Sequence, residues 1–218
     1  MPIRLSRNAT LVHFIAGDGI RLEGRLTRGE PERAVVLCHP HPLYGGSMLT
    51  PVIMTVEQAF QEAGFTTLAF NFRGVGGSEG THGEGKAEVH DVSGALAYLA
   101  LTLGAPPRFQ AVAGYSFGSH VGAMTAAVDP RVRFYLGIAP PLNRVDFHFL
   151  RQAICLTALV GAMQDQFCEP ARFEALYLSL PATPWTRLLD TDHFFAGKLD
   201  DLAQACRDAI AWAAGTDR

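Results

Sequence analysis

Six short apolar runs, at 34–38, 66–70, 109–113, 133–138, 154–160 and 185–189, punctuate this 218-residue chain, and stretches of helical periodicity separate most of them. A run that is apolar at nearly every position, not at every second one, suits a strand covered on both faces. Helices are placed at 51–63, 86–102, after the run at 109–113, at 171–180 and at 198–213. Thr50 stands as a cap for the first of these, Pro51 lies in its first turn and Gly64 is its stop. Two further strands, at 11–16 and 20–27, precede the series and are joined by Gly17-Asp18-Gly19, a hairpin signal. An antiparallel hairpin followed by repeated strand–helix units implies an α/β fold with a mostly parallel sheet and helices on both faces.

The length suits one domain spanning 1–218. With 48% apolar and 18% charged residues, the chain has the composition of a globular protein with a substantial core, and a net charge of −3 offers no basic field for nucleic acid. The four cysteines, Cys38, Cys155, Cys168 and Cys206, form no C-x-x-C pair; they read as buried free thiols and point to a reducing compartment, the cytoplasm. Residues 1–10 lack the apolar core of a signal peptide, and no apolar stretch approaches a membrane span.

Chemistry enters with Gly114-Tyr115-Ser116-Phe117-Gly118. The motif G-x-S-x-G follows an apolar run bounded by Pro106-Pro107 and precedes a helical stretch that ends at Asp129-Pro130. That context fits a sharp strand-to-helix turn lifting a serine hydroxyl out of the sheet. Such a turn forces strained backbone at the serine and presses strand against helix, so the residues two before and two after must be small.

In an open α/β sheet, functional groups gather where strands end. Ser116, Asp165 and His193 follow successive strands in the order expected of a nucleophile, acid and base. A serine hydroxyl needs a base within hydrogen-bond reach, and the base needs an acid to fix its tautomer. His193 lies between the last strand and the last helix, with Phe194-Phe195 available to pin its loop. His120 is too near the serine in sequence; His82 and His148 lie in loops without that order. Among the acids, Asp190 and Asp192 are too close to His193 to face it, Asp129 ends a helix, and Glu169 is the alternative to Asp165.

His39-Pro40-His41-Pro42 follows the strand at 34–38. An oxyanion hole needs main-chain N–H groups, and prolines have none. His41 is therefore the donor from this turn, with Leu43 second, and Phe117 is the donor after the serine. The paired histidines lack a carboxylate or cysteine at ligand spacing, so no metal is expected, and the chemistry requires no cofactor. The Gly-rich stretch Asn71-Phe72-Arg73-Gly74-Val75-Gly76-Gly77-Ser78 lacks the lysine of a phosphate loop and reads as structural, with Arg73 paired to Asp91 or Glu88.

The chain resembles the α/β-hydrolase superfamily and, within it, the small lidless bacterial serine hydrolases related to dienelactone hydrolases. The resemblance rests on Cys38-His39-Pro40, Gly45-Gly46-Ser47-Met48, Phe70-Asn71-Phe72-Arg73-Gly74-Val75-Gly76, the serine motif, Ile138-Ala139-Pro140-Pro141 and Asp192-His193-Phe194-Phe195. It implies a Ser116–Asp165–His193 triad acting on esters or similar acyl compounds. Dienelactone hydrolases carry a cysteine where this chain has Ser116, so their lactone substrate is not carried over. Between the strands at 133–138 and 154–160 only 139–153 is available, too little for a helical cap domain. The expected partner is a small-molecule acyl substrate, touched by Leu43, Tyr44, Phe147 and Phe149, the last two forming a small apolar wall with Leu150.

Overall fold

The structure, a computed structural model, describes residues 8–216; the part of the signal-peptide reading that falls on 1–7 lies outside the described residues. Strands β1 (Ala9–Ile15) and β2 (Arg21–Thr27) form the expected antiparallel hairpin. There follow β3 (Glu30–Cys38), α1 (Pro51–Glu62), β4 (Phe65–Phe70), α2 (Glu88–Thr102), β5 (Phe109–Tyr115), α3 (Phe117–Val128), β6 (Phe134–Ile138), β7 (Leu156–Ala162), α4 (Pro170–Leu178), β8 (Trp185–Leu189) and α5 (Leu199–Thr216). One eight-stranded sheet has the order β1-β2-β4-β3-β5-β6-β7-β8; pairing is antiparallel at β1–β2 and β2–β4 and parallel from β4 onward.

The core is split by the sheet into two layers. On one side Val52, Ile53, Val56 and Phe60 of α1 and Leu202, Cys206, Ala209 and Ala213 of α5 pack against alternate strand residues such as Val35, Leu37 and Ala113. On the other, Val92 and Leu96 of α2, Val121 of α3 and Phe173 of α4 cover Val36, Val112 and Leu159. Both faces being dry is why the central strands read as unbroken apolar runs. Between β6 and β7 there is only a short 3₁₀ segment, His148–Gln152, so no cap domain is inserted at that connection.

Several boundaries differ from the sequence expectation. β3 begins at Glu30, not 34, because Glu30 pairs with Phe65 of β4 ahead of a register shift and Arg33 pairs with Phe109 of β5; backbone pairing, not burial, makes them strand. β7 starts at Leu156, leaving Ile154 83% exposed before the sheet. Thr50 precedes α1 as expected, but its hydroxyl does not cap the helix; it accepts from Ser47 N–H at 3.3 Å.

Arg73 fastens the Gly-rich loop. Its guanidinium reaches Asp91 of α2 (Nη2–Oδ1, 2.6 Å) and Asp18 in the hairpin turn (Nη1–Oδ2, 2.9 Å), and its own N–H donates to Asp91. Its hydrogen bond to Asp18 holds that carboxyl below the usual range, whereas burial pushes Asp91 up despite its bonds to the same arginine.

Candidate active site

The register places the ends of β3, β5, β7 and β8 along one edge of the sheet: Cys38 pairs with Gly114, Tyr115 with Ile138, and Ala162 with Leu189. Ser116 is the residue between β5 and α3. Its backbone is left-handed in φ (54°, with ψ −117°), a conformation no L-residue adopts without strain, and its N–H donates to Ile138 O at 2.9 Å. The flanking glycines are forced by contact. A Cβ on Gly114 would sit 2.2 Å from Gly118 O, and one on Gly118 would sit 2.1 Å from Cys38 O.

His193 and Asp165 come to this serine from the loops after β8 and β7. His193 Nε2 lies 3.0 Å from Ser116 Oγ, and His193 Nδ1 lies 2.7 Å from Asp165 Oδ2. The carboxylate accepts, so Nδ1 carries the proton and Nε2 presents its lone pair to the serine hydroxyl. The Asp165 side chain is fully buried and its Oδ1 accepts from Phe167 N–H at 2.7 Å, which fixes the carboxylate from behind. Glu169, the alternative acid, is exposed at the start of α4. Asp192 instead accepts from Phe194 and Ala196 N–H and shapes the histidine loop.

Three aromatic residues hold His193, and of these only Phe194 was expected at its loop. Tyr115 donates its hydroxyl proton to His193 O at 3.0 Å, and the Phe167 and Phe194 rings stand 4.7 and 5.4 Å from the imidazole. Of the pair expected to pin the loop, Phe195 is buried, with left-handed φ (55°), while Phe194 is 59% exposed. Tyr115 has a readable signal, its place inside the serine motif; Phe167 has none beyond lying two residues after Asp165.

On the opposite side of Ser116, the turn after β3 carries a 3₁₀ segment, Pro42–Tyr44. Leu43 N–H donates to His41 Nδ1 at 3.3 Å and is therefore taken. Among the described residues, no acceptor holds His41 N–H or Phe117 N–H, the latter being the first amide of α3. His39 is neutral: Phe72 N–H donates to its Nε2 at 3.0 Å, Nδ1–H meets Pro40 O at 2.6 Å, and burial lowers its pKa to about 4. Both of its nitrogens being engaged, the H-x-H pair has no free lone pair at its first member for a metal. Among the described residues, no group of three or more His, Cys, Asp or Glu side chains is placed to hold a metal ion.

The substrate-contact expectations divide. Leu43 and Tyr44 are 71% and 86% exposed at the rim. Phe147 is corrected: at 1% exposure it is a core residue, stacked on Phe149 and set edge-on to His120 of α3. Leu150, also 1% exposed, packs in the same core, so the expected wall is reduced to half-buried Phe149. The reason is that 139–155, lacking a cap to support, folds its large apolar side chains down onto α3. No thiol competes with the serine: all four cysteines are free, and burial raises each, Cys155 to about 11 and Cys168 and Cys206 to about 12.

No family model matches the chain. It is 30% identical over 212 residues to the uncharacterized Rickettsia prowazekii protein RP471, covering 91% of this chain and 87% of that one. Among solved structures, ATU1826 from Agrobacterium tumefaciens, a candidate α/β hydrolase, superposes with a TM-score of 0.87 at 31% identity over 95% of this chain and 97% of that one. An α/β serine hydrolase without a lid from Xanthomonas campestris superposes with a TM-score of 0.83 at 27% identity, covering 95% of both chains. The chain belongs to the α/β-hydrolase superfamily. More distant is a thiohydrolase from Aspergillus aculeatus, 29% identical over 133 residues that cover 59% of this chain and 41% of the fungal protein. A polyketide transferase from Penicillium crustosum is 29% identical over 147 residues, covering 64% of this chain and 46% of that protein.

Proposed function

We propose that the protein is a serine hydrolase that cleaves small carboxylic esters or related acyl compounds through an acyl-enzyme on Ser116. The observation that carries this reading is the hydrogen-bonded line Ser116 Oγ–His193 Nε2 and His193 Nδ1–Asp165 Oδ2, set at a strained turn. His193 Nε2 takes the hydroxyl proton as Ser116 Oγ attacks the carbonyl carbon. The negative charge that develops on the carbonyl oxygen is received by His41 N–H and Phe117 N–H, near the positive end of α3. Collapse breaks the bond to the alkoxy leaving group, which departs with the proton held by His193. Water then attacks the acyl-serine, again losing its proton to His193, and the acid is released with Ser116 restored. Asp165 accepts from His193 Nδ1–H throughout and steadies the imidazolium.

A second reading keeps the same residues and changes the acyl partner: a thioester as donor, or an acceptor other than water. The fungal relatives named thiohydrolase and polyketide transferase favour it. In either case the whole chain works as one catalytic unit on a small molecule. Its four free thiols suit the reducing cytoplasm, and no helix among the described residues is long and apolar enough to cross a membrane. The test is a panel of simple esters and thioesters, with and without added alcohol or amine, assayed with wild type and Ser116→Ala side by side. Turnover that survives in Ser116→Ala contradicts both readings; a preference for thioesters, or product captured by the acceptor, selects the second.

A further inference from the structure

The reaction above uses His41 only through its main chain, yet its ring is deeply engaged. In the turn after β3 nearly every amide is already committed. Leu43 N–H donates to His41 Nδ1 at 3.3 Å, Tyr44 N–H and Gly46 N–H both donate to His41 O at 3.1 Å, and Gly45 N–H donates to Pro42 O at 3.3 Å. A Cβ on Gly46 would sit 2.1 Å from Pro40 O, so the turn is also closed sterically. With Pro40 and Pro42 lacking N–H, His41 supplies the amide that the turn leaves without an internal acceptor.

The same ring reaches the other donor. It lies 4.9 Å from the ring of Phe117 and 4.8 Å from that of His82, and His82 lies 5.4 Å from Phe117, so the three form one cluster. Behind it, the fully buried Glu88 carboxylate anchors the loop before α2. It accepts from Gly83 N–H at 2.7 Å and from Gly85 N–H at 2.8 Å. His82 Nδ1 lies 2.8 Å from Glu88 Oε1, off the line of a good hydrogen bond.

We propose that the His41 ring is a positioning residue for oxyanion stabilisation: by accepting Leu43 N–H and bearing on Phe117, it sets the His41 and Phe117 amides relative to one another. The inference rests on the serine-hydrolase reading. It requires Nδ1 to keep its lone pair, so the ring must be neutral. The titratable groups that face it are His82 and Glu88 from the loop and helix α2, Tyr44 in its own turn and His39 just before it; α3 presents the uncharged Phe117, with His120 beyond, beside Gly85. Burial and the neighbouring His82 push His41 below the ordinary histidine value, Glu88 opposing, which keeps the acceptor available at neutral pH.

The test uses p-nitrophenyl acetate with wild type, Ser116→Ala, His41→Leu and His41→Asn. An asparagine Oδ1 can accept from the amide two residues on, whereas leucine fills space and accepts nothing. His41→Leu should lower kcat by about 10- to 100-fold with KM nearly unchanged, the scale of a displaced oxyanion donor. His41→Asn should recover most of that loss. Because asparagine does not titrate, any loss of wild-type kcat caused by protonating His41 is absent from His41→Asn, so the ratio of kcat in His41→Asn to kcat in wild type should never fall as the pH is lowered. An unchanged kcat in His41→Leu, or an Asn variant as slow as the Leu variant, overturns the proposal. A ratio that falls as the pH is lowered does so too, and this readout holds even where the Leu variant does not fold. Full turnover by Ser116→Ala is a different outcome, which removes the serine reading itself.

Discussion

Two short contacts converge on one imidazole and set what each single residue should do. Ser116 and Asp165 approach opposite nitrogens of His193, so removing any one group should disable the other two. Ser116→Ala and His193→Ala should each lower kcat/KM on p-nitrophenyl acetate by roughly 10⁴-fold or more, and the two together by little beyond that, since such residues act as a unit. Asp165→Asn should cost roughly 10³ to 10⁴ in kcat by releasing His193 from the required tautomer. A loss below tenfold would show that the carboxylate does not orient the base. These three residues were legible because the fold fixes their order along the chain. Phe167, which flanks the imidazole, was not, because neither motif nor periodicity marks a ring that packs against a loop.

At the scale of elements, the β5–α3 turn is the tightest joint. A methyl at Gly118 has backbone, Cys38 O at 2.1 Å, in its way, so β3 or α3 must move. Gly118→Ala should destabilise the protein by more than about 3 kcal/mol, a core overpacking effect, and lower activity with it. Gly19 offers a contrast. Its φ is +93° but a Cβ there meets nothing within 4 Å, so Gly19→Ala should cost only the left-handed backbone penalty, about 1–2 kcal/mol. Urea unfolding of the two variants checks both, and equal costs would contradict the contact argument. The strand and helix order was readable because burial on both faces leaves unbroken apolar runs. What was hidden lies where pairing acts without burial: the polar start of β3 at Glu30 becomes strand through Phe65 of β4, a partner 35 positions away.

At the scale of the whole molecule, acid sensitivity follows from a buried neutral histidine. His39 is wholly buried, and burial lowers its pKa to about 4 from an ordinary 6.5. Between those values the unfolded chain binds a proton that the native state refuses, so stability is full above about pH 6.5 and falls as the pH drops toward 4. The loss amounts to roughly 3 kcal/mol over that window. Denaturant unfolding at pH 7, 6, 5 and 4.5 measures it, and a flat profile would contradict the assignment. The absence of a cap between β6 and β7 sets a second global property. A long acyl chain would lie partly in water, each unburied methylene forgoing about 0.8 kcal/mol, so specificity constants on p-nitrophenyl esters should peak at about two to six carbons. A steady rise through twelve carbons would reveal a deep apolar channel. The missing cap was legible as a short span of sequence; the inward turn of Phe147 was not, since an apolar residue in a loop reads alike whether it lines a site or supports one. Whether Ser116 is the nucleophile is read by a fluorophosphonate probe followed by peptide mass spectrometry. Near pH 8 the probe should form one adduct per chain, on Ser116, and His193→Ala should slow its formation severely. An adduct on another residue, or none in folded protein, would rule out Ser116 as the nucleophile.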